Sequence, residues 1–294
     1  MGEVSVGILG LGRLGASIGL ALKRYNARSQ ARHQFKVTGN SGRSDQVKAA
    51  QALNAVDNIS SQPHDAVRGR DIIVIAMPYA EVEATYQYIA NDLRPGVVVL
   101  DFSVLKQQPM AWSSKHLGDE AHMVGMTPIL NPKYLFDAVD QTERASADLF
   151  DDGIVQVMPN VKSIPEAIEL ATDFSALIGA RPQFTDPAEH DSLLSMTDTL
   201  PRLLGLAYYT ALTRGSGWGD VQRSTNPAFG MLTYPLFDTH PDDLAQAMRD
   251  GKHDLVRAID TLSTVLRELR TAINTDDRDT LETASADAAE SYES

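Results

Sequence analysis

The 294-residue sequence contains no cysteine, which excludes a disulfide framework, a thiolate nucleophile and a cysteine-based zinc site. Positive charge is scarce: 26 lysines and arginines stand against 39 aspartates and glutamates, leaving a net charge of −13 at pH 7. A chain this acidic does not attract nucleic acid or an anionic membrane, although a local basic pocket can still hold a phosphate. Apolar runs are short, none approaching the roughly 20 residues that span a bilayer. No charged leader or cleavage signal precedes the apolar pattern that begins by Val4, so a cytoplasmic location is expected. A Walker loop is also missing. His116 and His122 stand six apart with no partnered carboxylate pattern, so no metal is expected. What is present is 43% apolar content, enough to fill the cores of one large or two ordinary domains.

From Val4 onward, short β-type runs alternate with helical patterns. Val4–Leu9, Phe35–Thr38, Asp71–Ala76, Val97–Asp101 and Ile154–Met158 read as strands. The runs IIVIA and VVVL are continuous and β-branched, which suits strands covered on both faces of a parallel sheet. Leu14, Ile18 and Leu22 share one helix face, as do Val82, Tyr86 and Ile89, and Arg94-Pro95-Gly96 ends the second of these segments. Another helix begins near Pro165, aligns Leu170, Phe174 and Leu177, and stops at Gly179 before a short strand, Arg181–Thr185. This alternation predicts an α/β fold: a doubly wound, Rossmann-type parallel sheet over residues 1–186.

Residues 187–294 are expected to form an all-helical C-terminal domain. Leu193 to Leu212 is apolar without strand alternation and reads as one long buried helix, with Tyr208 and Tyr209 in its core. Leu255, Ile259, Leu262, Leu266, Leu269 and Ile273 recur in steps of 4, 3, 4, 3, 4. That seam suits either an intramolecular core helix or packing between two copies of the chain. The acidic, small-residue tail Thr275–Ser294 is expected to be a frayed helix or disordered.

The stretch GILGLGRLG contains Gly10-x-Gly12-x-x-Gly15 directly after an apolar strand and at the start of an apolar-faced helix. In that context Gly10 permits the tight turn, Gly12 lets the main chain approach a diphosphate, and Gly15 allows close helix–strand packing. The N–H groups opening the helix, around Leu11, Arg13 and Leu14, then face the phosphates. The end of the second strand reads VTGNSGRS and has no carboxylate before Asp45. An acidic residue there would accept from the ribose hydroxyls of NAD and repel a 2′-phosphate. Asn40, Ser41, Arg43 and Ser44 can instead bind that phosphate, so NADP is expected over NAD. Met77-Pro78 and Ser103 follow two further strands, whose carboxyl ends border the ligand crevice of such a sheet.

The segments GLGRLGASIGLALK, DIIVIAMPYAEV, LRPGVVVLDFSVLK, VGMTP, IGARPQFTDPAEHD, TLPRLLGLA and GWGDVQRSTNP occur in this order along most of the chain. Together they resemble the prephenate/arogenate dehydrogenase family. The resemblance implies a nucleotide-binding domain, a helical dimerisation domain and a homodimer. It also implies hydride transfer from a cyclohexadienol to nicotinamide as carbon dioxide leaves. The family's catalytic histidine, in a G-H-P segment, is matched here by Thr127. A threonine hydroxyl can hydrogen-bond but is no useful base near neutral pH. The histidines flanking the family's Leu-Pro segment are matched by Thr199 and Arg202, and the family serine near DFSVLK is displaced, leaving Ser103 and Val104.

Arg223 matches a family arginine that binds a substrate carboxylate, and Arg202 and Lys106 are candidates to add positive charge. Asp198 or Asp220 can pair with these arginines, and His190 beside Asp191 is expected to be a structural hydrogen-bonding residue. The leading expectation is an NADP-dependent oxidoreductase acting on a small carboxylate-bearing substrate, with Thr127 and Ser103 at its reacting end. The alternatives are a non-catalytic NADP-binding regulatory protein and a true prephenate or arogenate dehydrogenase with a rearranged site.

Overall fold

The computed structural model describes residues 2–134, 137, 141–236 and 240–293. The chain forms two compact units, Met1–Asp250 and Gly251–Ser294, each described here by itself.

The first unit is built on eight strands: β1 Gly2–Leu9, β2 His33–Asn40, β3 Asn58–Ile59, β4 Ile72–Ile75, β5 Val98–Asp101, β6 His122–Ile129, β7 Ile154–Pro159 and β8 Arg181–Phe184. They form one sheet in the order β3-β2-β1-β4-β5-β6-β7-β8. Its first six strands have the doubly wound order and are mutually parallel, so the switch point lies between β1 and β4. Between the strands run α1 Arg13–Asn26, α2 Ser44–Ala52, α3 Pro63–Val67, α4 Val82–Ile89, α5 Gln107–His116 and α6 Pro165–Ile178. Every residue of β4 and β5 is buried, because helices cover both faces of the sheet. One core holds Ile8, Ile18, Leu22, Val74 and Phe174; the opposite face buries Ile73, Ile75, Val82, Tyr86 and Ile89.

Two features depart from the expected sheet. The strand β6 carries the VGMTP segment and was not anticipated, since its glycine and proline break the β-branched pattern. The strand β7 pairs with it antiparallel, Thr127 opposite Gln156, so the sheet is mostly rather than wholly parallel.

The unit continues through α7 Pro187–Leu194, a π-helical stretch Ser195–Thr199, α8 Leu200–Thr213, α9 Trp218–Arg223, α10 Pro227–Thr233 and α11 Pro241–Asp250. Asp186 caps α7 by accepting from the N–H groups of Ala188 and Glu189 at 2.8 and 3.1 Å. The expected long helix is therefore present, but it is not buried. Within α8 only Gly205 is buried, and Leu206 and Tyr208 are exposed, so the placement of Tyr208 in the core is corrected. Tyr208 instead lies over Phe229, ring centroids 6.1 Å apart, and Tyr209 meets Trp218 edge-on at 5.2 Å.

The second unit pairs α12 Lys252–Asn274 with α13 Arg278–Glu293. Along the leucine seam Leu255 is buried, Ile259, Leu262 and Leu269 are half-buried, and Leu266 and Ile273 are exposed. The tail is a formed helix rather than a disordered segment. Asp277 starts it, accepting from the Thr280 N–H at 3.2 Å and hydroxyl at 2.8 Å.

Candidate functional site

Four strand ends are brought level by the register of the sheet. Leu9 lies opposite both Asn40 and Ile75, Ile75 opposite Asp101, and Asp101 opposite Gly125. Gly10, Ser41, Ala76 and Phe102 therefore leave the sheet side by side, at the switch point where a parallel sheet binds its ligand, while β6 runs on past Gly125 to Ile129. Gly10 has φ of +98°, and its N–H donates to Asn40 O at 2.9 Å. A Cβ there would stand 2.0 Å from Ala76 O, and one on Gly15 2.0 Å from Gly10 O. The fingerprint thus does sterically what its spacing implies: the turn and the helix are pressed together as only glycine allows.

Gly12 precedes α1 as its cap residue, no acidic side chain occupies the first turn, and Leu11 is buried beneath the turn while Leu14 is half-buried. The open end of the helix suits an anion. Arg13 is buried at this end. It donates to Asp137 O at 2.7 Å and to Asp137 Oδ2 at 3.1 Å, with its guanidinium 5.1 Å from the Tyr134 ring. Thr142 Oγ1 donates to Leu11 O at 2.8 Å, so the β6–β7 connection is tied to the glycine turn. Glycine spacing gave no sign of that tie.

At the end of β2 the side chains form a small polar nest. Asn40 Nδ2 donates to Ser60 O at 3.0 Å, Ser41 Oγ to Gln46 Oε1 at 2.7 Å, and the Arg43 N–H to Ser41 Oγ at 3.1 Å. Arg43 and Ser44 are exposed where α2 begins. The Arg43 guanidinium lies 3.0 Å from Asp45, and that hydrogen bond holds the Asp45 carboxyl below the usual carboxylate range. No carboxylate precedes Asp45, and a guanidinium and two hydroxyl-bearing residues follow the end of β2.

After β4, Met77 is half-buried and Pro78 exposed. After β5 the picture differs from the expectation. Ser103 is buried, its hydroxyl donating to Asp101 Oδ1 and lying 3.2 Å from Leu105 O, and Val104 is the exposed residue of the turn. Lys106, a candidate substrate ligand, is wholly buried. Its Nζ donates to Asp101 O at 3.1 Å and to Ser103 O, and lies 3.8 Å from Asp101 Oδ1. Burial lowers its pKa to about 8, against the opposing pull of the Asp101 and Asp191 carboxylates. Tyr86 donates to Asp101 Oδ2 from the core, and burial pushes its phenol well above the usual value. Asp101 as the hub of this knot was not foreseen; a carboxylate ending an otherwise apolar strand was the available signal.

Thr127 stands on β6 two residues past Gly125, at the same edge. Its Oγ1 is buried and has no hydrogen-bond partner among the described residues, and the same holds for Thr199 Oγ1. Both are the threonines for which the family resemblance implies histidines. His190 is buried with Nδ1 2.8 Å from Asp191 Oδ1, the structural contact expected of it, while its Nε2 has no partner among the described residues. Arg202 lies 3.0 Å from Asp198 and donates to Pro235 O at 3.0 Å; Arg223 is exposed and lies 2.5 Å from Asp220. Both arginine–aspartate pairings were anticipated. His116, for which the sequence pattern offers no carboxylate, contacts Glu83 at 3.0 Å. Among the described residues no helix is long and apolar enough to cross a membrane.

Level strand ends at a switch point, a positive-φ glycine and an open helix N-terminus define a dinucleotide-binding α/β protein. The model of the prephenate dehydrogenase nucleotide-binding domain matches residues 18–183, more than half of the chain, and the chain belongs to that family of oxidoreductases. It is 24% identical over 283 residues to a cyclohexadienyl dehydrogenase of Zymomonas mobilis, covering 94% of this chain and 90% of the relative. Its fold is similar to that of prephenate dehydrogenase from A. aeolicus, solved with hydroxyphenyl propionate and NAD+: TM-score 0.76, 18% identity, 95% and 92% of the two chains. Arogenate dehydrogenase from Synechocystis aligns with a TM-score of 0.67, 18% identity and 93% of each chain. The helical part after the sheet agrees with this fold.

Proposed function

We propose that the protein is an NADP-dependent dehydrogenase for a small carboxylate-bearing substrate, allied to cyclohexadienyl dehydrogenases but altered at the reacting end. The observation that carries the reading is the crevice edge itself, with Gly10 at φ +98° on one strand end and a carboxylate-free Asn40–Ser44 on the next. Main-chain N–H groups of Gly12, Arg13 and Leu14 hold the diphosphate, and Gly10, Leu11 and Gly15 shape the turn around it. Asn40, Ser41, Arg43 and Ser44 hold the 2′-phosphate by charge-assisted and neutral hydrogen bonds. Met77 and Pro78 form the apolar wall of the cofactor cleft. The nicotinamide, when bound, accepts or gives hydride.

At the reacting end Thr127 orients a substrate hydroxyl or carbonyl, while Arg223 and Arg202 bind its carboxylate. Thr127 does not remove a proton at neutral pH, so the reaction relies on orientation more than on acid–base catalysis. Ser103 and Lys106 support the turn after β5 from behind. The working division is a nucleotide-binding part, residues 1–186, and a helical substrate and dimerisation part, residues 187–294. The uncovered leucine seam of α12 supports a homodimer, since Leu266 and Ile273 stay exposed in one chain.

The reading is tested by following NADP+ reduction with prephenate, arogenate and a panel of smaller hydroxy and amino acids. Turnover with one member, abolished when Arg223→Ala removes the carboxylate contact, supports it. Tight NADP+ binding with no turnover across the panel favours a non-catalytic role instead.

A further inference from the structure

Beneath the turn that follows β5 lies a chain of buried charged groups. Lys106 folds back over the turn that it closes, and its ammonium spans the carbonyls of Asp101 and Ser103. The main-chain N–H groups of Lys106 and Gln107, which open α5, donate to the two oxygens of Asp191 at 2.8 and 2.9 Å. Asp191 belongs to α7, the first helix after the sheet, so one helix caps another across 85 residues of sequence. The His190 ring in turn fixes Asp191 Oδ1. The opposite end of the chain is equally tied. Asp101 accepts from the Tyr86 hydroxyl and, at 2.8 Å, from the Ser103 N–H.

A buried ammonium of this kind is a poor source of stability, because its desolvation cancels much of what its partners return. It is a good source of position, because two directed N–H bonds leave the Asp101 and Ser103 carbonyls little freedom. The carbonyls concerned belong to the turn at the carboxyl end of β5, which borders the crevice. The neighbouring strand makes room for the arrangement: a Cβ on Gly125 would come within 2.9 Å of Lys106 Cδ. Gly125 is two residues from Thr127, so the lysine stem keys the β5 turn to the strand that carries the proposed reacting-end residue.

We propose that Lys106 is a positioning residue, and Asp191 its anchor, which together hold the Asp101–Val104 turn as the seat of the nicotinamide half of the cofactor. This rests on the dinucleotide-binding reading of the crevice. It separates the cofactor site into two halves: the glycine turn and Asn40–Ser44 grip the nucleotide half without help from Lys106.

The test compares ligands that differ only in the nicotinamide. Calorimetric titrations of the full chain use NADP+ against 2′-phospho-ADP-ribose, and NAD+ against ADP-ribose. In Lys106→Met, the tighter-binding nicotinamide dinucleotide is expected to lose about tenfold in affinity, the scale of one hydrogen-bonded contact. Its nicotinamide-free counterpart should stay within about twofold. Asp191→Ala, which leaves the ammonium in place, is expected to give the same selective loss, with circular dichroism confirming that each variant is folded. Equal weakening of both ligands, or no weakening of either, overturns the positioning role. If the unaltered protein binds none of the four compounds, the cofactor reading itself has failed.

Discussion

Replacing Gly10 by alanine adds a single methyl group at a place where both the backbone and the neighbouring strand resist it. The residue sits at φ +98°, a conformation that costs a side-chain-bearing residue about 1–3 kcal/mol. The new Cβ would also lie 2.0 Å from Ala76 O and 2.8 Å from Met77 N, so the ends of β1 and β4 must move apart. Overpacking of this type costs a further 1–3 kcal/mol or so. A total near 4 kcal/mol corresponds to a loss of about 10 °C in Tm for a unit of this size. Gly42→Ala is the control, since nothing lies within 4 Å of its Cβ position. Thermal unfolding and NADP+ calorimetry of both variants measure the effect. Gly10→Ala should unfold early and bind nucleotide weakly, while Gly42→Ala stays within about 0.5 kcal/mol of the parent. A Gly10→Ala protein with unchanged Tm and affinity would refute the assignment of this turn as the diphosphate cradle.

Two further outcomes follow from the structure. Lys106 titrates near 8 when folded against 10.5 ordinarily, so between those values the unfolded chain holds more protons at this residue than the folded one. Its burial penalty is therefore full below pH 8 and fades as pH rises toward 10.5; the parent should gain up to about 3 kcal/mol on Lys106→Met over that window in urea unfolding. In the leucine seam, Leu266→Asp is expected to convert a dimer into a monomer by light scattering, with circular dichroism unchanged; a monomeric parent would remove the dimer proposal.

Much of the fold could be read from runs such as IIVIA and VVVL, because strands buried on both faces leave no room for polar residues. The helix from Pro165 to Gly179 was equally legible, having a start signal, an apolar face and a glycine stop. The strand β6 was not, because Gly125 and Pro128 interrupt its β-branched pattern, and the reason for Gly125, the Lys106 stem beside it, is not local in sequence. The burial of the long helix was overestimated for a related reason. Apolar content shows that a surface seeks cover, but not whether the cover comes from the same chain, and α8 leaves Leu206 and Tyr208 exposed.

In the site, the glycine turn and the carboxylate-free end of β2 were visible because each depends on local sequence. The Asp101–Lys106–Asp191 chain was not, since its members meet only through the third dimension. Ser103 and Lys106 were placed in the right turn but given the wrong exposure. A serine or lysine at a strand end looks the same in sequence whether it faces the ligand or the core.

The most direct check is a pair of calorimetric titrations of the intact protein with NADP+ and NAD+, repeated on Arg43→Ala. NADP+ should bind at least about tenfold more tightly, and Arg43→Ala should erase most of that margin, as expected of one charge-assisted contact to a phosphate. Tighter binding of NAD+, or no heat with either nucleotide, would contradict the proposed grip on the cofactor.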